Sequence, residues 1–153
     1  MESEEKMSED GGRGNRAPMS RSENMARIRS KDTAPELSIR SSLHRLGFRF
    51  RLHRRDFPGK PDLVFPKYRA VVFVHGCFWH QHKGCRRGHP PKSNIDYWIG
   101  KLSRNVERDR LAIKALRAMG WTVITVWECQ ITRSPGDIGK RVAKRLKSLL
   151  TSQ

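Results

Sequence analysis

The sequence predicts an α/β fold in which helices pack on the faces of a mixed β-sheet. Short apolar runs rich in β-branched residues alternate with stretches of helical spacing, in the order helix, strands, helix, strand, helix. With 153 residues the chain is long enough for one hydrophobic core, and it contains no internal repeat. We therefore expect one domain over residues 19–153, after a polar, Gly-rich and disordered tail over residues 1–18.

The first helix is predicted over residues 34–46. Thr33 and Glu36 have the spacing of a capping box, Pro35 lies in the first turn, and Gly47 provides the stop. Apolar residues at helical spacing follow the box and should face the core.

Four segments have the character of strands and together predict the sheet. Residues 70–74 and 121–128 are continuous apolar runs, which are typical of strands covered on both faces. Residues 48–53 and 62–65 are separated by a break rich in Gly and Pro, and a turn at residues 66–69 follows them.

Two further helices complete the predicted architecture. A long helix starts near a second capping-box spacing, Ser93–Asp96, and ends at Gly120. The last helix covers residues 137–150, with apolar residues facing in and Lys or Arg facing out. The inward stripe of the long helix carries Trp98, Leu102, Leu116 and Met119.

The net charge favours a polyanionic partner. The formal charge is +17, and because five acids lie in the first ten residues, residues 11–153 carry 31 basic against 10 acidic groups. A field of this size favours nucleic acid over small acidic metabolites, with a solvated basic surface as the alternative. Three cysteines cannot all pair, and the sequence shows neither a membrane-spanning run nor a signal segment, so we expect a reducing cytoplasm.

The stretch at residues 75–85 contains three histidines, two of the three cysteines and two adjacent aromatic residues. Thiolate and imidazole are the ligands that Zn²⁺ prefers, and a site with three cysteines and one histidine is closed and structural. His80 or His89 is an alternative histidine ligand, and buried cysteines acting as small apolar residues are the alternative to a metal site. The predicted zinc ligands are Cys77, His82, Cys85 and Cys129.

A second group of residues points to catalysis. Asp62 begins one predicted strand and His75 ends the next, so a hairpin should bring them close together. A carboxylate beside a strand-end carbonyl suits Mg²⁺, which takes few protein ligands and keeps most of its waters. Turn capping after Pro61 is the alternative role for Asp62. On the long helix, Asn105 and Asp109 interrupt the inward apolar stripe. A buried carboxylate needs a cation, a histidine or water, and a pair with a neighbouring arginine is the structural alternative.

In four blocks the sequence resembles the very-short-patch DNA mismatch repair endonuclease family. The likeness extends over about residues 20–132, and motifs in this order are highly specific. The resemblance implies a restriction-endonuclease-like fold with structural zinc, and Mg²⁺-dependent nicking 5′ of the mispaired thymine in T·G mismatches left by deamination of 5-methylcytosine. The blocks surround Asp62 and cover residues 73–80, 101–109 and 126–129.

The resemblance also implies roles for individual residues. Asp62 and the backbone carbonyl of Val74 would bind Mg²⁺, with His75 and Asn105 holding the water shell of the metal. Val74 stands where the best-known member of the family has Thr, a change that leaves a carbonyl ligand in place. Gly84 lengthens the spacing before the second loop cysteine by one residue, which a zinc loop should absorb.

The general base implied by the resemblance is His80, oriented by Asp109, with Glu36 close by. The residues themselves agree for the pair, because a carboxylate fixes the tautomer of a histidine and raises its basicity. For Glu36 the capping box alone is a sufficient explanation.

Aromatic and basic residues complete the expected DNA interface. The family resemblance implies that rings inserted beside the T·G pair unstack the step, and core packing is the alternative role for such rings. Arg86, Arg87 and the basic arm at residues 20–31 would bind phosphates. The candidate wedges are Phe78, Trp79 and Trp98.

We expect a bacterial, nucleoid-associated monomer that acts on double-stranded DNA with a T·G mismatch, away from membranes, with mismatch-repair proteins as candidate partners. Two rivals remain at this point. One is a zinc-stapled DNA-binding module without catalysis, and the other is a related nuclease with a different sequence specificity.

Overall fold

The computed structural model describes residues 17–26 and 32–152, so the predicted tail lies almost entirely outside the described residues. Within them, no helix combines the length and apolar composition needed to cross a membrane. The helices are α1 (Arg21–Ala26), α2 (Ala34–Arg45), α3 (Ile95–Ala118), α4 (Glu128–Arg133) and α5 (Pro135–Thr151). The strands are β1 (Arg51–Leu52), β2 (Leu63–Phe65), β3 (Ala70–His75) and β4 (Thr122–Trp127), with 3₁₀ turns at Pro66–Tyr68 and Arg86–Gly88.

The four strands form one mixed sheet in the order β1-β2-β3-β4. Strands β1, β2 and β3 pair antiparallel, because the turn after β2 reverses the chain through Arg69 in the left-handed region, at φ +46°. Strand β4 returns parallel to β3 after the α3 crossover, and His75 pairs with Trp127 at the carboxyl edge. This edge holds the candidate site.

The helices cover both faces of the sheet. Alternate residues of β2 and β3 point to opposite sides, so one apolar set packs under α2 and α5 and the other under α3. Each fully buried aliphatic or Phe side chain contributes about 1.5–3 kcal/mol of transfer free energy. The α2–α5 face includes Ile39, Leu43, Phe65, Val72 and Leu146, and the α3 face includes Val64, Val71, Phe73 and Leu116.

The mixed sheet, the order of its elements and the three long helices are confirmed. Strand β3 is buried along its whole length, as its apolar sequence predicts. Several expectations about single elements are wrong. Leu37 and Leu46, which have helical spacing with the core residues of α2, are 51% and 44% exposed. The predicted first strand is reduced to Arg51–Leu52, Met119 lies beyond the end of α3 and is 48% exposed, and β4 is only partly covered because it is an edge strand. The short helices α1 and α4 were not predicted.

Neither predicted capping box forms. The Thr33 side chain makes no bond to the backbone of α2, and α3 begins at Asn94 with φ +52° and no side-chain cap. Instead, the Glu36 carboxylate accepts hydrogen bonds from the Asp32 N–H (2.9 Å) and the Thr33 hydroxyl (3.3 Å). Glu36 is only 4% exposed, so its place at the start of α2 is not that of an ordinary surface cap.

Candidate active site and metal cluster

A cleft of about 910 Å³ lies at the carboxyl edge of the sheet, between the start of α2, the end of β3, the loop after it and α3. Four basic side chains and several polar groups share its wall. Its acidic, amide and imidazole groups come from Glu36, His80, Asn105, Asp109 and Glu128, and its basic groups are Arg21, Arg87, Lys101 and Arg108. The lining suits a polyanion whose reacting group meets the acids and the imidazole.

His80 and Asp109 form a pair in this cleft. The Nδ1 atom of His80 lies 2.5 Å from Oδ2 of Asp109, and both side chains are partly buried. The inward carboxylate on α3 therefore has a histidine partner rather than a neighbouring arginine. With Nδ1 held by the carboxylate, Nε2 is the nitrogen available to take up a proton.

His75 lies directly under this pair. Its ring stacks on that of His80 with centroids 3.9 Å apart and planes 4° apart, and it meets Trp127 edge-on. The pKa of His75 is lowered to about 4, mainly by burial and also by the charge of His80, with Asp109 acting in the opposite direction. His75 is thus a neutral imidazole at physiological pH, as suits a group that holds water or packs against the base.

Asp62 and Val74 meet at the end of β3, as the hairpin predicts. The Val74 N–H donates to Oδ2 of Asp62 at 2.6 Å, and the Asp62 N–H donates to the Val72 carbonyl at 3.1 Å. The pKa of Asp62 is raised to about 6, mainly by burial and also by the charge of Glu36, with the Val74 hydrogen bond acting in the opposite direction. A largely buried carboxylate that has an acidic neighbour and, among the described residues, no cation paired to it suits a divalent ion. Val74 lines the cleft and Asp62 lies just behind it.

Asn105 joins α3 to the loop after β3. Its side-chain N–H donates to the Trp79 carbonyl at 3.4 Å, one helical turn before Asp109. Asn105 therefore fixes the loop that carries His80 against the helix that carries its carboxylate.

The four predicted zinc ligands lie together beside the active-site cleft. Their ligand atoms are all within 4.8 Å of one another, with Nδ1 of His82 at 3.6 Å from Sγ of Cys77 and 3.4 Å from Sγ of Cys129. His82 fills the histidine position, since His80 is bound to Asp109. The structure thus brings Cys77, His82, Cys85 and Cys129 together, and their cluster joins the loop to the start of α4, just after β4.

The chemistry of these donors fits a soft cation. Burial raises the pKa of the Cys77 thiol to about 12, so that it becomes a thiolate only beside a positive charge, whereas the Arg87 N–H lowers the pKa of Cys85. The loop also wraps tightly, because a Cβ at Gly88 would lie 2.9 Å from the His82 carbonyl oxygen. His82 is fixed further by stacking on Trp127, with ring centroids 4.2 Å apart.

Among the candidate wedges, the exposure expected of the loop residue Phe78 is wrong, whereas the burial of Trp98 agrees with its place on the inward stripe of the long helix. Phe78 and Trp98 are 4% and 2% exposed and pack with Leu102, whereas Trp79 is partly buried at the edge of the same cluster. Helix α1 explains the burial, because the Ser22 hydroxyl accepts a hydrogen bond from the indole Nε1 of Trp98 at 2.7 Å.

Several residues of the cleft were missed by sequence reasoning. Lys101 lies 5.4 Å from the centroid of the Trp79 ring, and Glu128 pairs at 3.5 Å with Arg87, which the sequence predicts as a phosphate contact. Arg40, which holds Glu36, was also missed, although its spacing of four residues from Glu36 on a helix is a recognisable signal. Arg86 is exposed, as expected for a phosphate contact.

Comparison with known proteins places this geometry in context. The family model described as DNA mismatch endonuclease Vsr matches residues 15–87. The chain is 52% identical over 126 residues to type II nicking enzyme V.XorIIP of Xanthomonas oryzae pv. oryzae, covering 82% of this chain and 88% of that one. It is 48% identical to type II nicking enzyme V.NmeAIP of Neisseria meningitidis serogroup A over 70% and 76% of the two chains. It is 44% identical to DNA mismatch endonuclease Vsr of Escherichia coli K12 over 87% and 85%.

Proposed function

The chain belongs to the Vsr family of DNA mismatch endonucleases, and on that premise we propose that it nicks duplex DNA 5′ of the mispaired thymine in T·G mismatches. Such mismatches arise by deamination of 5-methylcytosine. The chain is a nuclease, a hydrolase of phosphodiester bonds, because its relatives are named as mismatch endonuclease and nicking enzymes. Family membership establishes the class of enzyme, and we propose the particular mismatch, the metal and the roles of single residues.

One observation carries it: the His80–Asp109 pair stands in a cleft with basic walls, beside the corner formed by Asp62 and Val74. Hydrolysis of a phosphodiester needs a base for the attacking water and a positive field for the charge that develops on the phosphate. His80 is the group placed to take the proton from water, and Asp109 holds its tautomer and stabilises the imidazolium that forms.

Asp62 and the carbonyl of Val74 would hold Mg²⁺, with His75 and Asn105 beside its water shell and Glu36 at the cleft wall. Bound there, the ion would supply Lewis-acid stabilisation of the phosphate. Lys101 and Arg108 line the same cleft and would neutralise DNA phosphates on either side of the reacting one. The positive field would therefore come from the chain as well as from a bound metal ion.

Mismatch recognition would use the aromatic cluster. Trp79 is the ring of the three that is partly accessible, and Lys101 lies over its face. Trp98 can reach DNA only if α1 moves away, because the Ser22 hydroxyl accepts from its indole N–H, and Arg21 of α1 lies 5.6 Å from the centroid of the Phe78 ring. The mismatch would reduce the cost of insertion, since a mispaired step is easier to unstack than a paired one.

A DNA-binding module without catalysis is the rival function. It would share the basic charge and the cysteine cluster, but it has no need of a carboxylate-bound histidine next to a buried carboxylate. A nuclease with another sequence specificity shares the catalytic groups, so only substrates distinguish it from the proposed enzyme.

A panel of end-labelled duplexes, each with a single mismatch in otherwise identical sequence, tests the function in Mg²⁺. We expect a nick on the thymine strand of the T·G duplex and at least tenfold slower nicking of matched DNA. Trp79→Ala should reduce this discrimination with little effect on nicking of its preferred substrate at saturation. Binding without nicking of any duplex would support the non-catalytic DNA-binding module. Preference for another mismatch would support a related nuclease of different specificity.

We also propose that Cys77, His82, Cys85 and Cys129 bind a structural zinc ion. Because a closed site takes no part in chemistry, its loss should act through folding of the loop between β3 and α3. Cys129→Ser should lower the melting temperature by on the order of 10 °C, since losing one ligand costs several kcal/mol and 1 kcal/mol corresponds to a few degrees at this size. Thermal melting and metal content by mass spectrometry measure the effect.

His89→Gln is the matched control, because His89 is exposed and lies outside the cluster. It should retain one zinc per chain and the normal melting temperature. Purified protein without stoichiometric metal, or a Cys129→Ser variant that melts unchanged, contradicts the zinc assignment.

A further inference from the structure

A second charged cluster lies behind the cleft wall, where α2 begins. Ligand atoms of Asp32, Glu36 and His53 lie within 4.8 Å of one another, which is the arrangement of a divalent-metal site. The guanidinium of Arg40 binds this same group of side chains. Its Nη1 is 2.8 Å from Oδ1 of Asp32, its Nη2 is 3.1 Å from Oε2 of Glu36, and the same Nη2 is 3.1 Å from Nε2 of His53.

We propose that Arg40 is a positioning residue for nicking: its guanidinium holds the Glu36 carboxylate at the cleft wall and takes the place of a cation between Asp32, Glu36 and His53. The inference rests on the proposed nuclease function for the role of Glu36. It extends that function to a residue that lies outside the cleft lining and touches no substrate.

The burial of the pair makes the interaction strong. The side chains of Arg40 and Glu36 are 11% and 6% exposed, so solvent screens their charges little. A guanidinium binds two acceptors at once in a fixed plane, which a lysine ammonium does not reproduce. Oε2 of Glu36 accepts from Arg40 and from the Asp32 N–H, and Oε1 accepts from the Thr33 hydroxyl, so both carboxylate oxygens are held.

Repulsion between two carboxylates explains why Glu36 needs to be held by Arg40. Glu36 is buried and Asp62 is partly buried, and the charge of Glu36 acts on Asp62. A cation bound to Glu36 from behind offsets part of their repulsion and keeps Glu36 from turning away from the cleft.

One further detail separates this role from ordinary stabilisation. Among the side chains that the structure describes, the Nε of Arg40 is the buried polar atom left without a hydrogen-bond partner. An unpaired buried donor costs free energy, so the guanidinium is not placed where its own hydrogen bonds are best satisfied. Its position instead follows the two carboxylates.

Arg40→Ala, Arg40→Lys and the control Arg45→Ala test the proposal. Arg45 is on the same helix, is exposed and contacts no carboxylate within the described residues. We expect Arg40→Ala to lower kcat at least tenfold with the KM for mismatched DNA within about twofold, and Arg40→Lys to recover part of the loss. Millimolar methylguanidinium should restore nicking several-fold in Arg40→Ala and should leave Arg45→Ala unchanged.

A second readout does not depend on activity. Titration with Mn²⁺ followed by electron paramagnetic resonance should find one more bound ion in Arg40→Ala than in the unmutated chain, because removal of the guanidinium frees three ligands. That extra ion should disappear when Asp32→Asn is added.

A kcat of Arg40→Ala within twofold of normal overturns the proposal. So does a lost activity that parallels a lower melting temperature and that methylguanidinium does not restore. If the unmutated chain nicks no duplex at all, the proposed function fails, whereas the Mn²⁺ titration still shows whether Arg40 stands in a cation position.

Discussion

Asp62→Asn should reduce the rate of nicking by about a thousandfold or more while leaving mismatch binding nearly unchanged. The asparagine oxygen can still accept the hydrogen bond from the Val74 N–H, so the corner at the end of β3 keeps its shape. What is lost is the anionic metal ligand, and Lewis-acid stabilisation is worth several kcal/mol. Phosphate contacts come from many Lys and Arg residues, so binding should survive.

Single-turnover nicking at saturating Mg²⁺ and a gel-shift titration measure the two effects separately. Asp96→Asn is the control, because Asp96 is an exposed acid at the start of α3. Normal nicking by Asp62→Asn would show that Asp62 is not a ligand of the catalytic metal.

The same substitution should stabilise the protein without added Mg²⁺, with a definite pH dependence. Burial raises the pKa of Asp62 from 3.8 to about 6, so the protonated form is favoured in the folded state. The stability associated with this raised pKa is fully present below about pH 4 and is lost as the pH rises through about 6. Asparagine does not ionise, so its gain over aspartate should appear between pH 4 and pH 7.

The size of this gain is bounded by the shift of roughly two pKa units, which corresponds to at most about 3 kcal/mol. Urea unfolding at pH 4 and pH 7.5, without a chelator that would remove zinc, measures it. A stability difference between the two proteins that does not change with pH would show that the carboxyl of Asp62 is better solvated than its burial indicates.

The sequence predicts those features that depend on local pattern. Strand β3 is apolar at every position except its last and is buried throughout, and α2 ends where Gly47 takes a positive φ. The spacing of Cys77, His82 and Cys85 predicts that their side chains lie together, because ligands a few residues apart in one short loop can reach the same ion. Asp109 was found because a carboxylate in an inward stripe requires a partner.

The features that the sequence does not predict depend on contacts between distant segments. Phe78 lies in a polar loop of the sequence, yet it packs against Trp98, whose buried indole N–H donates to the Ser22 hydroxyl of α1. In the same way, the sequence shows Glu36 only as half of a capping box. The structure adds that Glu36 pairs with Arg40 and lines the cleft. At both positions the local sequence preference and the tertiary environment disagree, as is common at functional sites.

His80→Ala should lower the nicking rate by on the order of a hundredfold or more, the usual contribution of a general base. Asp109→Asn should have a comparable effect, because the amide cannot stabilise the imidazolium and no longer selects the tautomer with its proton on Nδ1. Glu107→Gln is the control on the same helix, since Glu107 pairs with Arg110 at an exposed position and should not affect nicking.

The double variant distinguishes a working pair from two separate contributions. If Asp109 acts only through His80, its loss has nothing left to impair once the imidazole is gone, and His80→Ala with Asp109→Asn should nick barely more slowly than His80→Ala alone. The Nδ1 to Oδ2 distance of 2.5 Å favours this outcome, as does the lack of any other cation bonded to Asp109 among the described residues. If the two losses instead multiply, the carboxylate of Asp109 supports the fold of the cleft, and His80 acts as a base without it.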